Sequence, residues 1–397
     1  MSADSPRVYL DHAATTPMLP EAVEAMTRHL VDVGNPSSLH ASGRAARRVV
    51  EESRERIAQA INCRPSEVVF TSGGTESDNL AVKGIFWARR DEDARRTRVL
   101  STSIEHHAVL DPLHWLGDHE GAQVELLPVD SKARLDLGEL RRSIEDDPES
   151  VALVSVMLAN NEVGTVEPVV DVVAVAAQYG IPVHSDAVQA VGHIPVDFAA
   201  LGVDALTLTG HKLGGPFGVG ALVVRRELAV TPLLHGGGQE RDIRSGTIDT
   251  PAIAGFAEAV ELSVKLQAEH ASRIGALRDE LVARVRAVVP DAIFNGDPVD
   301  RLPGNAHLKF PGCQGDSLLM LLDARGIECS TGSACSAGVP QPSHVLLAMG
   351  CSDEYARSSL RFTLGRTTTR EDVDALVDAI GPVVERARAT GSRKATG

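Results

Sequence analysis

The 397-residue chain is 43% hydrophobic and 23% charged, an ordinary balance for a soluble globular protein, and is long enough for two domains with large cores. Its formal net charge of −15 argues against a nucleic-acid or anionic-membrane surface but leaves room for a local basic pocket. No apolar run approaches a membrane span, and with aromatics at 3% the core must rest on Val, Leu, Ile and Ala.

The opening Met1-Ser2-Ala3-Asp4-Ser5-Pro6 has neither a basic nor an apolar region, so no secretory signal is expected. Residues 21–31 are predicted helical, followed by a Gly34-Asn35-Pro36-Ser37-Ser38 loop. Residues 41–61 place Ala45, Val49, Ile57 and Ile61 on one helical face. Strands and helices then alternate: strand 67–70, helix 77–89, strand 98–101, helix 108–119, strands 123–127 and 151–158, helix 169–179, a short buried strand over 180–184 and an apolar run over 204–208. This alternation predicts an α/β fold with a mostly parallel sheet covered by helices on both faces. The pattern changes after about Pro251. One long helix is expected through Leu262, Leu266, Ile274, Leu277, Leu281, Val285 and Val288, then a strand over 306–310, a helix over 317–325 and a helical region over 373–387. The chain reads as a large domain over 15–258 and a smaller α+β domain over 259–397, with residues 1–14 packing on the smaller one and a frayed tail over 390–397.

Two positions at predicted strand ends carry reactive chemistry. Lys212, in Leu208-Thr209-Gly210-His211-Lys212, follows the 204–208 run and precedes a turn rich in glycine (Gly214, Gly215, Gly218, Gly220). A lysine held there can form a Schiff base with an aldehyde cofactor if its amine is partly desolvated. The stretch equally fits a surface lysine in a glycine turn. Asp186 sits just past the strand that ends at His184, where open α/β sheets place their ligand crevice. A carboxylate there can pair with a protonated pyridine nitrogen, as pyridoxal phosphate requires, or it can simply cap the next helix. Only a strand-loop-strand unit separates the two, so both can open into one crevice.

Other segments add weaker signals. Phe70-Thr71-Ser72-Gly73-Gly74-Thr75-Glu76-Ser77 reads as strand, glycine turn and helix start, a cradle for a phosphate through backbone N–H groups and Thr75, although such turns are common. Thr209 and His211 could add donors. His106 follows the 98–101 strand and could stack on a flat cofactor and exchange protons, or cap a helix at the surface. Asn161, in Asn160-Asn161-Glu162-Val163-Gly164, could donate to a phenolic oxygen, though an Asx turn fits Asn-Asn equally well. Arg361 alternates with apolar neighbours in Ser359-Leu360-Arg361-Phe362, and its planar fork suits an α-carboxylate or a surface ion pair.

The five cysteines (Cys63, Cys313, Cys329, Cys335 and Cys351) include no C-x-x-C pair and no accompanying His/Cys ladder. No zinc or iron-sulfur site within the chain is expected, and a reduced cytoplasmic setting fits. Cys335 stands apart in a small-residue stretch, Ser330-Thr331-Gly332-Ser333-Ala334-Cys335-Ser336-Ala337-Gly338, where an exposed thiol on an arm is suited to carry a group.

Taken together, these motifs resemble the cysteine desulfurases of the NifS/IscS type, within the class V aminotransferase group of pyridoxal phosphate enzymes. The resemblance runs from Tyr9-Leu10-Asp11-His12-Ala13-Ala14-Thr15-Thr16-Pro17 to Arg361-Phe362-Thr363-Leu364-Gly365-Arg366. It implies the type I fold of pyridoxal phosphate transferases, a homodimer, and removal of sulfur from L-cysteine to give L-alanine and a persulfide on Cys335. That sulfur would pass to an acceptor such as an iron-sulfur scaffold, a tRNA-thiolation protein or a cofactor-synthesis enzyme. By resemblance Lys212 binds the cofactor, Asp186 pairs with its ring nitrogen, and His106 stacks on the ring and moves protons. Gln189 and Asn161 address the phenolic oxygen; Gly74, Thr75, Thr209 and His211 lie at the phosphate, and Thr247 reaches the phosphate of the other subunit. Arg361 clamps the substrate carboxylate, with Asn161 and Asn35 bordering the substrate. Selenocysteine lyase or plain aminotransferase chemistry on the same scaffold are the alternatives. The chain departs from the family where an aromatic is expected at Gly214, a lysine at Phe217 and a non-glycine residue at Gly338, which puts loop rigidity and partner contacts at issue.

Overall fold

The computed structural model describes residues 7–332 and 341–394. Twelve strands lie among them. They are β1 (Val8–Tyr9), β2 (Val68–Thr71), β3 (Arg98–Thr102), β4 (Gln123–Leu127), β5 (Val151–Ser155) and β6 (Val183–Asp186). There follow β7 (Ala205–Thr209), β8 (Gly220–Val224), β9 (Ile293–Phe294), β10 (Asn305–Lys309), β11 (Ile327–Glu328) and β12 (Ser359–Thr363).

Seven of these form the central sheet, in the order β2-β8-β7-β6-β5-β3-β4. The β7-β6-β5-β3-β4 neighbours are parallel, and β8 runs antiparallel to both β2 and β7. Side chains that alternate along each strand enter two different cores, so both faces are covered. Val68 and Phe70 of β2, Leu206 and Leu208 of β7, and Ala221 and Val223 of β8 join one core. Val69, Ala205, Leu222 and Val224 join the other, against Leu80, Ile85 and Phe86 of the helix Gly74–Glu92.

β8 is absent from the strand pattern read off the sequence. The glycine-rich turn after Lys212 masks it, yet Gly220–Val224 is buried along its whole length. The long helix expected after Pro251 is two helices, Thr250–Lys265 and Gln267–Val288, broken at Leu266 (φ −96°, ψ 2°). No Gly or Pro marks that break. It falls where packing changes partner, since Ala252 to Val260 belong to the sheet's core while Ile274, Leu281 and Val285 belong to a separate one.

That separate core also holds residues of β10, β12 and the final helix, together with Leu10 from the N-terminus. It is organised by a three-stranded antiparallel sheet, β12-β10-β9, and by the parallel pair β1-β11. We propose the division 15–258 and 259–397, with the N-terminal segment on the second part; the separate cores support two such parts, with Ala259 and Val260 still packed in the first. No helix among the described residues is long and apolar enough to cross a membrane.

Candidate active site

A cavity of about 390 Å³ opens where β6 and β7 end and where the chain leaves β5. This is the carboxyl edge of a parallel sheet, where the backbone turns away and neighbouring loops diverge. Gly74, Thr75, His106, Asn161, Asp186, Gln189, Thr209, His211, Lys212 and Arg361 all line it. Asn35 and Thr247 do not; both are exposed elsewhere on the chain, and Asn35 Oδ1 accepts from the Ser37 N–H in its own loop (2.9 Å). Cys335 and Gly338 lie outside the described residues.

Asp186 is the last residue of β6 and is 6% exposed. Its Oδ1 accepts from the Val188 N–H (2.8 Å). Burial raises its pKa to about 6, against the lowering effects of that bond and of Lys212. Lys212 follows β7 in a turn, and its Nζ donates to the carbonyl oxygens of Ala13 and, at 2.8 Å, of Ala14. Burial lowers the lysine to about 8, with Arg361 lowering it further and Asp11 and Asp186 opposing. An amine at that value is about one-tenth neutral at pH 7, far more than an ordinary lysine, which suits an attacking nucleophile.

His106 is the N-cap of the helix His107–Glu120, its Nδ1 accepting from the Ala108 N–H (3.1 Å). The residue lines the cavity, and desolvation by the surrounding protein, and then Lys212, pull its pKa down to about 4. It is therefore a neutral ring with Nε2 free of that cap. Asn160 takes the Asx turn, its Oδ1 accepting from the N–H groups of Glu162 and Val163 (both 2.9 Å), which leaves Asn161 at the cavity wall. Gln189 Nε2 donates to the Ala13 carbonyl (2.9 Å). His211 stacks on Phe217 (5.5 Å between centroids, 24° between planes). Gly214 stands at φ +78°, and a Cβ there would meet Leu19 Cγ at 3.0 Å and the Pro17 carbonyl oxygen at 3.3 Å. A glycine therefore suits this turn where an aromatic was expected.

Arg361 lies on β12 with its side chain 6% exposed. Its Nη1 donates to the Asn161 carbonyl (2.9 Å) and its Nη2 to Asp11 Oδ1 (2.9 Å), while its buried Nε has no partner among the described residues. A guanidinium held at a cavity wall is suited to a carboxylate through its planar fork of donors.

Asp78, Glu162 and His344 are among the lining groups that escaped the sequence reading. Asp78 is fully buried, with Oδ1 unpartnered among the described residues, and burial followed by the charge of Asp186 pushes its pKa well up. Its spacing from Gly74, one helical turn along, is the signal that could have found it. Glu162 and His344 also face the cavity, and no feature of the sequence marks them for it.

The chain matches the family described as Aminotransferase class-V over residues 8–376. It is 56% identical over 382 residues to an IscS-like cysteine desulfurase of Mycobacterium tuberculosis, covering 96% of this chain and 97% of that one. Among solved structures it superposes on a NifS-like protein with a TM-score of 0.88 at 36% identity, covering 96% of this chain and 100% of the other. It also superposes on a structure described as SspA in complex with cysteine, with a TM-score of 0.77 at 32% identity over 91% and 99% of the two chains. Likeness of this extent, on a fold whose sheet edge gathers the residues above, means that the chain belongs to the class V aminotransferase family.

Proposed function

We infer that the chain is a pyridoxal 5′-phosphate-dependent cysteine desulfurase, which takes sulfur from L-cysteine and releases L-alanine. The observation that carries this reading is the convergence of a part-neutral lysine amine, a buried carboxyl, a neutral histidine and a buried arginine on one cavity, in a chain similar at full length to a cysteine desulfurase.

The residues present fit the cofactor. The cavity is within the range of about 300–1,000 Å³ usual for ligands of this size. A helix N-terminus, Gly74 and Thr75, opens onto it as an anion site, with Thr209 and His211 nearby. Asp186 can meet a ring nitrogen and Gln189 and Asn161 a phenolic oxygen. When bound, pyridoxal 5′-phosphate supplies an electron sink for charge developing at the substrate α-carbon.

In this reading Lys212 holds the aldehyde carbon and, once released, carries the α-proton. Burial favours its neutral form, so it can accept that proton near pH 8. Asp186, ionised when a protonated ring nitrogen lies against it, keeps that proton in place. Neutral His106 covers one face and can relay a proton through Nε2. Arg361 fixes the substrate carboxylate by charge-assisted hydrogen bonds, orienting the Cα–H bond. The Cys335 thiolate takes the sulfur as a persulfide, and the carbon skeleton leaves as L-alanine.

A homodimer is part of the same reading. Asn35 and Thr247 lie outside the chain's own cavity, and the segment around Asn35 exposes Leu30, Val31, Val33 and Leu39, an apolar surface suited to a second copy. The sulfur acceptor, such as an iron-sulfur scaffold, and a cytoplasmic setting complete it, the latter supported by Cys63, Cys313, Cys329 and Cys351 all being free. The test is to incubate the protein loaded with pyridoxal phosphate with L-cysteine and a thiol reductant, then measure alanine and sulfide. Equal amounts of both are expected, and consumption of cysteine without alanine overturns the reading.

A further inference from the structure

The N-terminal motif Tyr9-Leu10-Asp11-His12 contributes none of the groups assigned above, yet Asp11 reaches the cavity's arginine. Asp11 Oδ1 accepts from Arg361 Nη2 at 2.9 Å, with the two side chains 21% and 6% exposed. Both backbones are held. Arg361 exchanges backbone hydrogen bonds with Ser330 in both directions (2.7 and 3.1 Å). Asp11 bridges to Thr363, two residues along β12, and its carbonyl accepts from the Ala14 N–H (3.0 Å) and the Tyr9 hydroxyl (3.1 Å). The carboxylate is thus delivered to the guanidinium by rigid backbone rather than by a mobile surface side chain.

The guanidinium is tied at two nitrogens, Nη1 by the Asn161 carbonyl and Nη2 by Asp11, and Nε has no partner among the described residues. Two anchors at separate nitrogens fix the plane of the group, whereas one leaves it free to swing about the remaining bond. We propose that Asp11 is a positioning residue for substrate binding: it fixes the Arg361 plane and offsets its charge, so that a substrate carboxylate meets a preset fork with donors to spare. The proposal rests on Arg361 being the carboxylate clamp.

Asp11 then has two separable effects. One is orientation, which needs only an acceptor oxygen. The other is charge, which acts on Lys212. The charged and titratable groups facing Lys212 are Asp186 from β6, Arg361 from β12, Asp11, His106, His211 and His193. Of these Asp11 and Asp186 favour its ammonium form and Arg361 opposes it.

The experiment compares Asp11→Asn and Asp11→Ala in the full-length protein. Asp11→Ala, which removes both effects, is expected to raise KM for L-cysteine about tenfold with kcat within about twofold, a shift equal to one order in an equilibrium constant. Asp11→Asn, which keeps the oxygen, is expected to restore KM to within about threefold of the wild type. Both variants are expected to lower the midpoint pH at which the apoprotein takes up pyridoxal phosphate, because the Arg361 charge is no longer offset. An unchanged KM in Asp11→Ala, or an Asn variant as impaired as Ala, overturns the proposal, as does an unmoved uptake midpoint. Arg361→Ala separates the two levels: if it too leaves KM unchanged, the clamp itself is misassigned, and if it alone raises KM, only the role of Asp11 fails.

Discussion

Asp78 Oδ1, in the cavity wall, lies 3.6 Å from His184 Nε2, and both side chains are fully buried. Burial lowers His184 to about 3 and pushes Asp78 well above the usual carboxylate range, so burial drives each toward its neutral form. His184 meets Ser155 Oγ at Nδ1 (2.9 Å) and Thr207 Oγ1 at Nε2 (3.0 Å), a chain that ties β5, β6 and β7 together. An acid whose folded pKa is raised gives stability that is complete below its unfolded pKa and lost as pH rises through the folded one. Asp78→Asn, which mimics the neutral acid, should therefore melt closest to the wild-type apoprotein in acid, near the unfolded carboxylate pKa of about 3.9, and increasingly above it as pH rises toward 9. A difference that shrinks as pH rises would mean that Asp78 is ionised and paired.

Lys212 sets a second pH dependence. Because burial brings its amine to about 8, uptake of pyridoxal phosphate by the apoprotein should accelerate with pH and level off just above 8, well short of the ordinary lysine value. Lys212→Ala should show no absorbance from a lysine-bound cofactor at any pH. Stopped-flow absorbance checks both, and a rate still climbing at pH 10 contradicts the assignment.

The Gly214 turn predicts a stability cost. Gly214→Tyr, which introduces the aromatic expected from the family resemblance, must place a side chain at φ +78° with Leu19 Cγ 3.0 Å from its Cβ. A loss of about 1–3 kcal/mol is expected from strain and crowding. Urea denaturation of the apoprotein measures it; a variant as stable as wild type would show that the turn readily rearranges.

His106 should not contribute an acid limb at the ordinary histidine pKa. Its value near 4, lowered by desolvation and by Lys212, keeps the ring neutral through the working range. The kcat/KM profiles of wild type and His106→Gln should stay parallel between pH 5.5 and 7.5, the variant lower by about 10²–10⁴-fold if His106 relays a proton. A wild-type step near 6.5 that vanishes in the variant would contradict this.

What the sequence made legible follows from where the residues stand. Asp186 ends one buried strand and Lys212 stands in the turn after another, and a strand followed by a loop leaves a pattern of apolar run and turn that can be read locally. The parallel sheet was legible for the same reason, through its alternation with helices. β8 was not, because its apolar residues follow four glycines that read as turn. The helix break at Leu266 was not either, since it is imposed by a change of packing partner among residues that all favour helix. Asp78 was hidden because a carboxylate in an early helical turn reads as an exposed dipole partner, and only the tertiary fold buries it. The Asp11–Arg361 pair joins residues 350 apart in sequence, which no local pattern signals.

The central claim is that this protein passes the sulfur of L-cysteine to its own Cys335, and single-turnover alanine formation tests it most directly. Protein loaded with pyridoxal phosphate is mixed with excess L-cysteine without reductant, and alanine is counted per subunit in wild type and in Cys335→Ser. The account predicts about one alanine per subunit for wild type, with a mass gain of one sulfur atom, and none for Cys335→Ser at equal cofactor absorbance. Alanine formed by Cys335→Ser at the wild-type rate would contradict it.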